Sequence, residues 1–526
     1  MSNVYAKTVD PQATPVTEPL IGKSMVENHT GGFVFALGPF AALRRFLILG
    51  TEGGTYYMTE RNHTLAGVKV VVAAVELDPI RALAEVVEIA SRGRALRKNA
   101  AIWALAYILK KAPVEVRRLA VAEVPKVCTI GTDILMLAEC LRGIGGWSHA
   151  INHKAIEAWL FTRSPTQLAF QMAKYPNREG WTMRDLLRKV KPKPTSEAQS
   201  AVFRWAVKGF EPDMVALPDV LWAIERAKTA SVRDLVKLID EYELPRECIP
   251  TAMLNERDVW AALLPHMGLT ALIRNLGKMT AVGLLIPLSD AVKLVVDRLE
   301  DANAIREAKL HPLRSLVAQS VYSSGRGVKG SLKWSPVPQI TAALEAAFYA
   351  GFSILKPTGK KHLVAIDVSG SMMQSMPGSS LSCHMATAAL AMMRVRTDNE
   401  VHIVGFAEQI IDLGITRNMD LGAAMARTCR SDFGSTNASA PIEWATDNGI
   451  EVDVVEILTD NEVNTGNHPT VALNRYRQRT GRPVKQIVVG MTATDFSIAD
   501  PEDRDQLDVV GFDAALPEVV NSFLEV

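Results

Sequence analysis

No apolar run in this chain approaches the ~20 residues that a bilayer-crossing helix requires, although 48% of its 526 residues are hydrophobic. Helical membrane spans are thereby set aside, and the apolar residues are available to fill cores. Cysteine is scarce as well. Cys128, Cys140, Cys248, Cys383 and Cys429 are scattered, with no CxxC pair and no histidine at ligand spacing. That argues against a zinc ribbon or a disulfide framework and fits a reducing, intracellular setting. The opening stretch, "MSNVYAKTVDPQATPVTEPL", has neither an apolar leader core nor an Arg-rich amphipathic pattern. No targeting peptide is expected, and the expected location is the cytoplasm. Two catalytic signatures are missing too. The glycine-rich "LGTEGGTYY" (Leu49 to Tyr57) lacks the spacing and the strand-to-helix context of a phosphate loop and reads as a tight turn between helices. Ser369 does not sit in a G-x-S-x-G elbow, which argues against a serine hydrolase.

What is present is uneven. The formal net charge is only +1, from 58 Lys and Arg against 57 Asp and Glu, but the two signs are segregated. From Pro357 onward there are 13 basic and 23 acidic residues; before it there are 45 and 34. A basic body followed by an acidic domain points to a polyanionic partner for the body.

The chain divides where its pattern changes. Residues 1–20, rich in Pro, Thr and Val without periodicity, read as a flexible arm. Residues 21–356 are dominated by amphipathic segments. "DPIRALAEVVEIASRG" opens with Asp78 as N-cap and Pro79 at the first helical position and closes on Gly93. "NAAIWALAYILKK", "VEVRRLAVAEVPKV", "TDILMLAECLRGIGG" and "HKAIEAWLFTR" follow in the same style, with apolar residues three and four apart. Short helices in series predict an all-α domain of stacked HEAT-like pairs. Residues 357–526 differ: "HLVAIDVS", "EVHIVGFAEQ", "VDVVEILTD", "VKQIVVGMT" and "LDVVGFD" read as near-continuous apolar strands alternating with helices. That predicts an α/β doubly wound domain, with ligands outside the carboxyl ends of its strands.

The stretch "HLVAIDVSGSMMQS" ends its apolar run in Asp367 and then places Ser369 and Ser371 at every second position. "DFGSTNAS" adds Thr436 in a connection before a helix, and "EILTDNE" puts Asp460 at the carboxyl end of another strand. Two carboxylates and three hydroxyls on one sheet edge form an all-oxygen donor set, which suits Mg²⁺, with Mn²⁺ as the alternative divalent cation, better than zinc. The pattern resembles the metal-ion-dependent adhesion site of von Willebrand factor A domains. By that resemblance Asp367, Ser369, Ser371, Thr436 and Asp460 are the metal-site residues. No histidine base directly flanks them in sequence, so the site is expected to bind rather than catalyse.

In the helical body, "SRGRALRKN" groups Arg92, Arg94, Arg97 and Lys98. "KYPNREGWTMRDLLRKVKPKP" brings together Lys174, Arg178, Arg184, Arg188, Lys189, Lys191 and Lys193, with Tyr175 and Trp181 interleaved. Cations at this density neutralise phosphates, and aromatic rings beside them stack unpaired bases; Trp181 itself reads as core. "SSGRGVKGSLKW" (Ser323 to Trp334) carries Arg326, Lys329 and Lys333 on a glycine-rich loop.

Together, "RRFLILGTEGGTYY", "KYPNREGWTMRDLLRKVKPKP", "MGLTALIRNLGKMT" and "RGVKGSLKW", followed by the Asp367 motif, resemble the Ro autoantigen family, which joins a TROVE domain to a von Willebrand A domain. The resemblance runs from about Gly31 to the C-terminus, and the short loops resemble those of prokaryotic members. It implies a monomeric ring of helical repeats closed by the A domain, with Y RNA on the outside and single-stranded 3′ ends of misfolded RNA in the centre. It further implies work with an exoribonuclease in RNA processing, decay and quality control. Carried over by position, Lys174, Arg178 and Lys191 fall on the Y RNA surface, in the same segment as Arg184, Arg188 and Lys193. At Lys191 the animal proteins place a histidine, so RNA preference is expected to differ. Two other classes compete with this non-enzymatic, RNA-binding reading. One is a protein–protein adaptor whose A domain captures an acidic partner. The other is a metal-dependent phosphodiesterase, for which no second metal site or base is evident.

Overall fold

In the computed structural model, residues 14–49, 60–92, 94, 98–211, 216–327, 331–375, 381–429, 434–492, 494, 496–510 and 516–525 are described. The turn expected at 50–57, Gly93, Arg97 and Lys329 lie outside them. The described residues form two units. One takes those up to Val70, Arg94, and those from Phe352 onward; the other takes Val71–Arg92 and those from Lys98 to Gly351.

The first unit opens with two short strands, β1 (Met25–Glu27) and β2 (Phe33–Ala36), paired antiparallel. At the end of the segment read as an arm, Pro15 bridges to Asn467 and Val16 is buried.

The second unit is built of helices whose ends follow the local sequence. Asp78 caps the helix Pro79–Ser91 by accepting from the amides of Ile80 and Arg81, both at 3.0 Å, relieving donors that the first turn leaves unpaired. Helix Asn99–Lys111 buries Ala100, Ala101, Ile102, Ala104, Leu105, Ala106, Ile108 and Leu109, so it is apolar nearly all round and sits at the centre of its neighbours. It packs on Val114–Val127 and on Gly131–Gly143, while Val114–Val127 packs on Pro79–Ser91 and on Ala150–Phe161. Each helix thus meets its successor or the helix after that, as in stacked helical pairs.

One interruption went unseen in the sequence. β3 (Asn177–Arg178) and β4 (Trp181–Thr182) form a hairpin inside the aromatic-basic segment. Its turn residues, Glu179 (φ +49°) and Gly180 (φ +77°), are both left-handed, the conformation that a two-residue turn of this hand demands. Two-residue strands are too short to show alternation.

The sheet of the first unit contains β5 (His362–Asp367), β6 (Val401–Phe406), β7 (Ile410–Asp412), β8 (Val454–Thr459), β9 (Lys485–Gly490) and β11 (Gln506–Val510), in the order β11-β9-β8-β5-β6-β7. The five strands read from the sequence are there and parallel; β7 adds an antiparallel edge, so the sheet is mixed. Every residue of β5 and β8 is buried, which explains their continuous apolar runs. β10 (Phe496–Ser497) leaves this sheet and pairs with β2, making a second sheet β1-β2-β10. Val16 and Val34 enter the same core as Leu363, Phe406, Tyr476 and Phe496. The N-terminal segment is therefore structurally part of the α/β unit. Arg45, itself buried, reinforces this by pairing with Asp508 of β11.

At the opposite end of β5 from Asp367 lies a buried ionic network. His362 meets Glu456 at 2.6 Å, and Arg394 reaches Glu456 at 2.8 Å and Asp398 at 3.1 Å. Burial alone would raise the Glu456 pKa, but the Arg394 charge and the His362 hydrogen bond override it and hold it down at about 2.

Candidate functional site

β5 is followed in sequence by β6 and β7 on one side of it, and β8 then starts the other side. The sheet's direction of winding therefore reverses between β5 and β8, where doubly wound folds leave a crevice at the carboxyl ends of their strands. Asp367 is the last residue of β5 and Asp460 directly follows β8, so both carboxylates come from this switch point. Both are buried.

The surrounding hydrogen bonds hold the carboxylates in place. Asp367 Oδ1 accepts from the Ser369 amide at 2.9 Å, and Asp367 Oδ2 accepts from the Thr459 hydroxyl at 2.6 Å. The Ser369 and Ser371 hydroxyls lie 3.2 Å apart. Asp460 Oδ1 accepts from the Glu462 amide at 3.1 Å, and the Ser371 hydroxyl beside the carboxylate favours its charged form, while Asp460 Oδ2 is buried with no well-formed hydrogen bond among the described residues. Burial and the Asp367 charge push Asp460 well above the usual carboxylate range; burial also raises Asp367, against its bonds from Ser369 and Thr459. Two buried carboxylates crowded together with an oxygen left over form an electron-rich pocket, and a bound cation would relieve both strains.

Thr436 reaches this edge through backbone contacts. Its amide donates to Asn464 Oδ1 at 2.8 Å, and its carbonyl accepts from the Asn464 amide at 3.1 Å. The next amide, of Asn437, donates to the Ala407 carbonyl beyond β6 at 2.7 Å. The loops carrying the five residues are thus joined at one edge. Among the described residues no group of three or more His, Cys, Asp or Glu side chains is placed to hold a metal. The set here is of another kind, two carboxylates completed by hydroxyls, and its all-oxygen chemistry fits a hard divalent cation. Thr459 and Asn464 were missed as members of the site, although Thr459 stands next to Asp460 in "EILTDNE".

The basic segment is built on the hairpin and the helix Met183–Val190. Thr182 caps that helix in a reciprocal box: its hydroxyl accepts from the Asp185 amide at 3.1 Å, and its own amide donates to Asp185 Oδ2 at 3.0 Å. Met183, Leu186, Leu187 and Val190 face inward, which turns Arg184, Arg188 and Lys191 outward on one face. Arg184, Arg188, Lys191 and Lys193 are exposed, with no ion pair among the described residues. Lys174 and Arg178 are more committed: Lys174 is half-buried and 3.4 Å from Glu247, and Arg178 lies 3.0 Å from Glu179. Trp181 is core, as expected, and its indole N–H donates to Glu139 at 3.0 Å.

The grouping of Arg92, Arg94, Arg97 and Lys98 as a basic cluster needs correction. Arg94 is buried and donates to the Val510 carbonyl, and Lys98 is half-buried, with its ammonium on the Val127 carbonyl and the Thr129 hydroxyl. Both cations serve as donors to backbone or hydroxyl oxygens within the fold. Arg92 is exposed, near Glu88. In the 323–334 stretch, the backbones of Arg326 and Lys333 pair in an antiparallel bridge, and the Trp334 indole donates to the Tyr322 carbonyl.

Comparison with known proteins assigns the architecture. Residues 26–220 and 241–360 match the model of the TROVE domain, and residues 361–524 match that of the Ro60 vWA domain. The molecule is thus of the class that joins a TROVE domain to a von Willebrand A domain. The chain is 39% identical to the RNA-binding protein RO60 of Deinococcus radiodurans, covering 98% of both chains. It is 32% identical to RNA-binding protein RO60 of Caenorhabditis elegans, over 99% of this chain and 94% of that one. The chain belongs to the Ro60 family. The crystal structure of the Deinococcus radiodurans RO (RSR) protein superposes with a TM-score of 0.75, covering 93% of this chain and 99% of that one. Among the described residues no helix is long and apolar enough to cross a membrane.

Proposed function

We infer that this chain is a non-enzymatic RNA-binding protein whose basic helical face holds structured RNA. The observation that carries the reading is the outward row Arg184, Arg188 and Lys191, continued by Lys193, exposed and without ion pairs among the described residues. Such cations are available to phosphates at no cost in broken ion pairs, and guanidinium groups present a planar fork that matches phosphate oxygens. Both relatives named above are RNA-binding proteins. In this reading the RNA is a small noncoding Y RNA, held on the outer face of the ring that the family resemblance implies. Single-stranded 3′ ends of misfolded RNA are taken into its centre. The setting is cytoplasmic RNA processing, decay and quality control beside an exoribonuclease, with the protein as a monomer.

The A domain holds a divalent cation, Mg²⁺ or Mn²⁺, between Asp367, Ser369, Ser371, Thr436 and Asp460. The buried Asp460 Oδ2, which has no well-formed hydrogen bond among the described residues, and the neighbouring Ser369 and Ser371 hydroxyls support this. The cation supplies a positive centre with room for an acidic group.

The test is the affinity for a stem-loop RNA with a single-stranded 3′ tail, measured against salt. The wild type is compared with Lys174/Arg178/Lys191 and Arg184/Arg188/Lys191/Lys193 alanine variants. The expected result is a steep wild-type dependence that flattens in the variants, with the RNA left intact. Flat, weak binding in all three would overturn the reading and favour an adaptor that takes an acidic protein partner at Asp367. Cleavage abolished by Asp367→Ala would make it a phosphodiesterase.

A further inference from the structure

The loop that presents Asp460 is held in an unusual conformation. Asn461 sits at φ +68°, in the left-handed region that residues with a side chain avoid at a cost on the order of 1 kcal/mol. Such a conformation persists only where its surroundings over-determine it. Here the Asn461 amide donates to the Thr459 hydroxyl at 3.0 Å, and its side-chain oxygen accepts from the Ile498 amide at 3.2 Å. Further restraints come from more than four hundred residues away. Asn28 Nδ2 donates to the carbonyls of Val463 at 2.8 Å and Asn461 at 3.4 Å. Glu462, 3% exposed, receives the His29 amide at 3.0 Å on one carboxylate oxygen and faces His29 Nδ1 at 2.7 Å on the other.

The N-terminal clamp is itself rigid. Asn28 Oδ1 accepts from the amides of Thr30 at 3.0 Å and Gly32 at 2.9 Å, closing the β1–β2 turn around its side chain. Gly32 approaches so closely that a Cβ there would stand inside the Val463 carbonyl. The 461–463 backbone therefore lies against the 28–32 turn without slack, and the His29 ring lies 5.8 Å from that of Phe496.

We propose that Asn28 and His29 are positioning residues for the metal site. The N-terminal segment fixes the turn after Asp460 and thereby aims Asp460 Oδ2, setting the affinity for a divalent cation. The inference rests on the reading of Asp367 and Asp460 as a divalent-cation site. Its route is short: the Glu462 amide holds Asp460 Oδ1, and the Glu462 carboxylate is held by His29. Groups that orient a metal ligand from behind typically contribute 10–100-fold to affinity. Losing the His29 side-chain donor leaves a buried carboxylate with one partner fewer, a cost that the loop relieves by moving.

The experiment is Mn²⁺ titration of the full-length chain, followed by the paramagnetic resonance of free Mn²⁺. The variants are Asp460→Asn, Asn28→Ala, His29→Phe and His29→Asn, whose amide N–H replaces that of Nδ1. Circular dichroism of each metal-free variant is recorded alongside. One site in the wild type, none in Asp460→Asn, at least about 10-fold weaker binding in Asn28→Ala and His29→Phe, and near wild-type binding in His29→Asn is the expected result. Wild-type affinity in both His29→Phe and Asn28→Ala, with Asp460→Asn still inactive in binding, overturns the positioning role and leaves the metal reading standing. Equal weakening in His29→Phe and His29→Asn also overturns it, since the donor would then be irrelevant. No binding by the wild type removes both.

Discussion

The Thr459 hydroxyl donates a 2.6 Å hydrogen bond to Asp367 Oδ2, tying the last residue of β8 to the last residue of β5. Both side chains are fully buried, so the bond has no competition from water. Replacing Thr459 by the near-isosteric valine leaves a buried carboxylate oxygen short of its donor. Such a loss costs about 1–3 kcal/mol. Urea unfolding of Thr459→Val at neutral pH should show that decrease, with Thr459→Ser close to wild type. An unchanged midpoint for valine would mean that Asp367 finds another donor.

The Glu456 carboxyl predicts an acid sensitivity. Its folded pKa of about 2 lies below the ordinary 4.5, so the native state binds its proton less tightly than the unfolded chain does. The resulting stability is fully present above about pH 4.5 and is lost as pH falls toward 2, by on the order of 3 kcal/mol. Glu456→Gln should flatten stability against pH across that window, measured by denaturant unfolding at a series of pH values. It should also lower stability at pH 7, because Arg394 then keeps only Asp398 as an ionic partner.

Lys191 separates stability from binding. It ends the helix Met183–Val190 in the left-handed conformation, φ +53° and ψ +51°, where glycine is the favoured residue. Lys191→Gly should raise thermal stability by about 0.5–1 kcal/mol through relief of that backbone cost. The same change should weaken RNA binding, as Lys191→Ala should. A glycine variant that is less stable than wild type would show that the lysine stem packs usefully.

The row on that helix sets a salt dependence. Each phosphate that this row neutralises should contribute about −0.7 to −0.9 to the log–log slope of affinity against salt, from single-stranded to duplex contacts. Removing Arg184, Arg188, Lys191 and Lys193 together should flatten it by the number of them engaged. A slope unchanged in the quadruple variant would place the RNA elsewhere on the protein.

Much of the fold was legible because the signals were local. Five apolar runs became five parallel strands, and Asp78–Pro79 announced a helix start that the structure keeps. The placement of Asp367 and Asp460 was legible because a strand ending in one and another followed by the other mark one sheet edge by pattern alone. The basic segment was legible from its density of cations, but which of them face outward was not, since that follows from the burial of Met183, Leu186, Leu187 and Val190. What escaped depends on partners remote in sequence. β10 is two residues long, and β2 becomes an element of the α/β unit only by pairing with it. Nothing in "VENHTGG" announces that Asn28 and His29 will grip the 461–463 loop. Arg94 looks like any surface arginine until the carbonyl of Val510 is placed beside it.

The second sheet has a consequence for the order in which the chain can be finished during synthesis. β1 and β2 are made before the helices of the second unit, and β10, which completes their sheet, is made after them. The helices from Pro79 to Ala350 are complete while the ribosome is still producing β5, and their contacts are largely between near neighbours in the chain. The N-terminal strands must wait through all of that, carrying Val34 and Phe35, which are buried in the end, without their partner. Closing the α/β unit across so long a loop carries a loop-closure entropy cost, and a nascent chain truncated before Phe496 leaves β2 with an open edge.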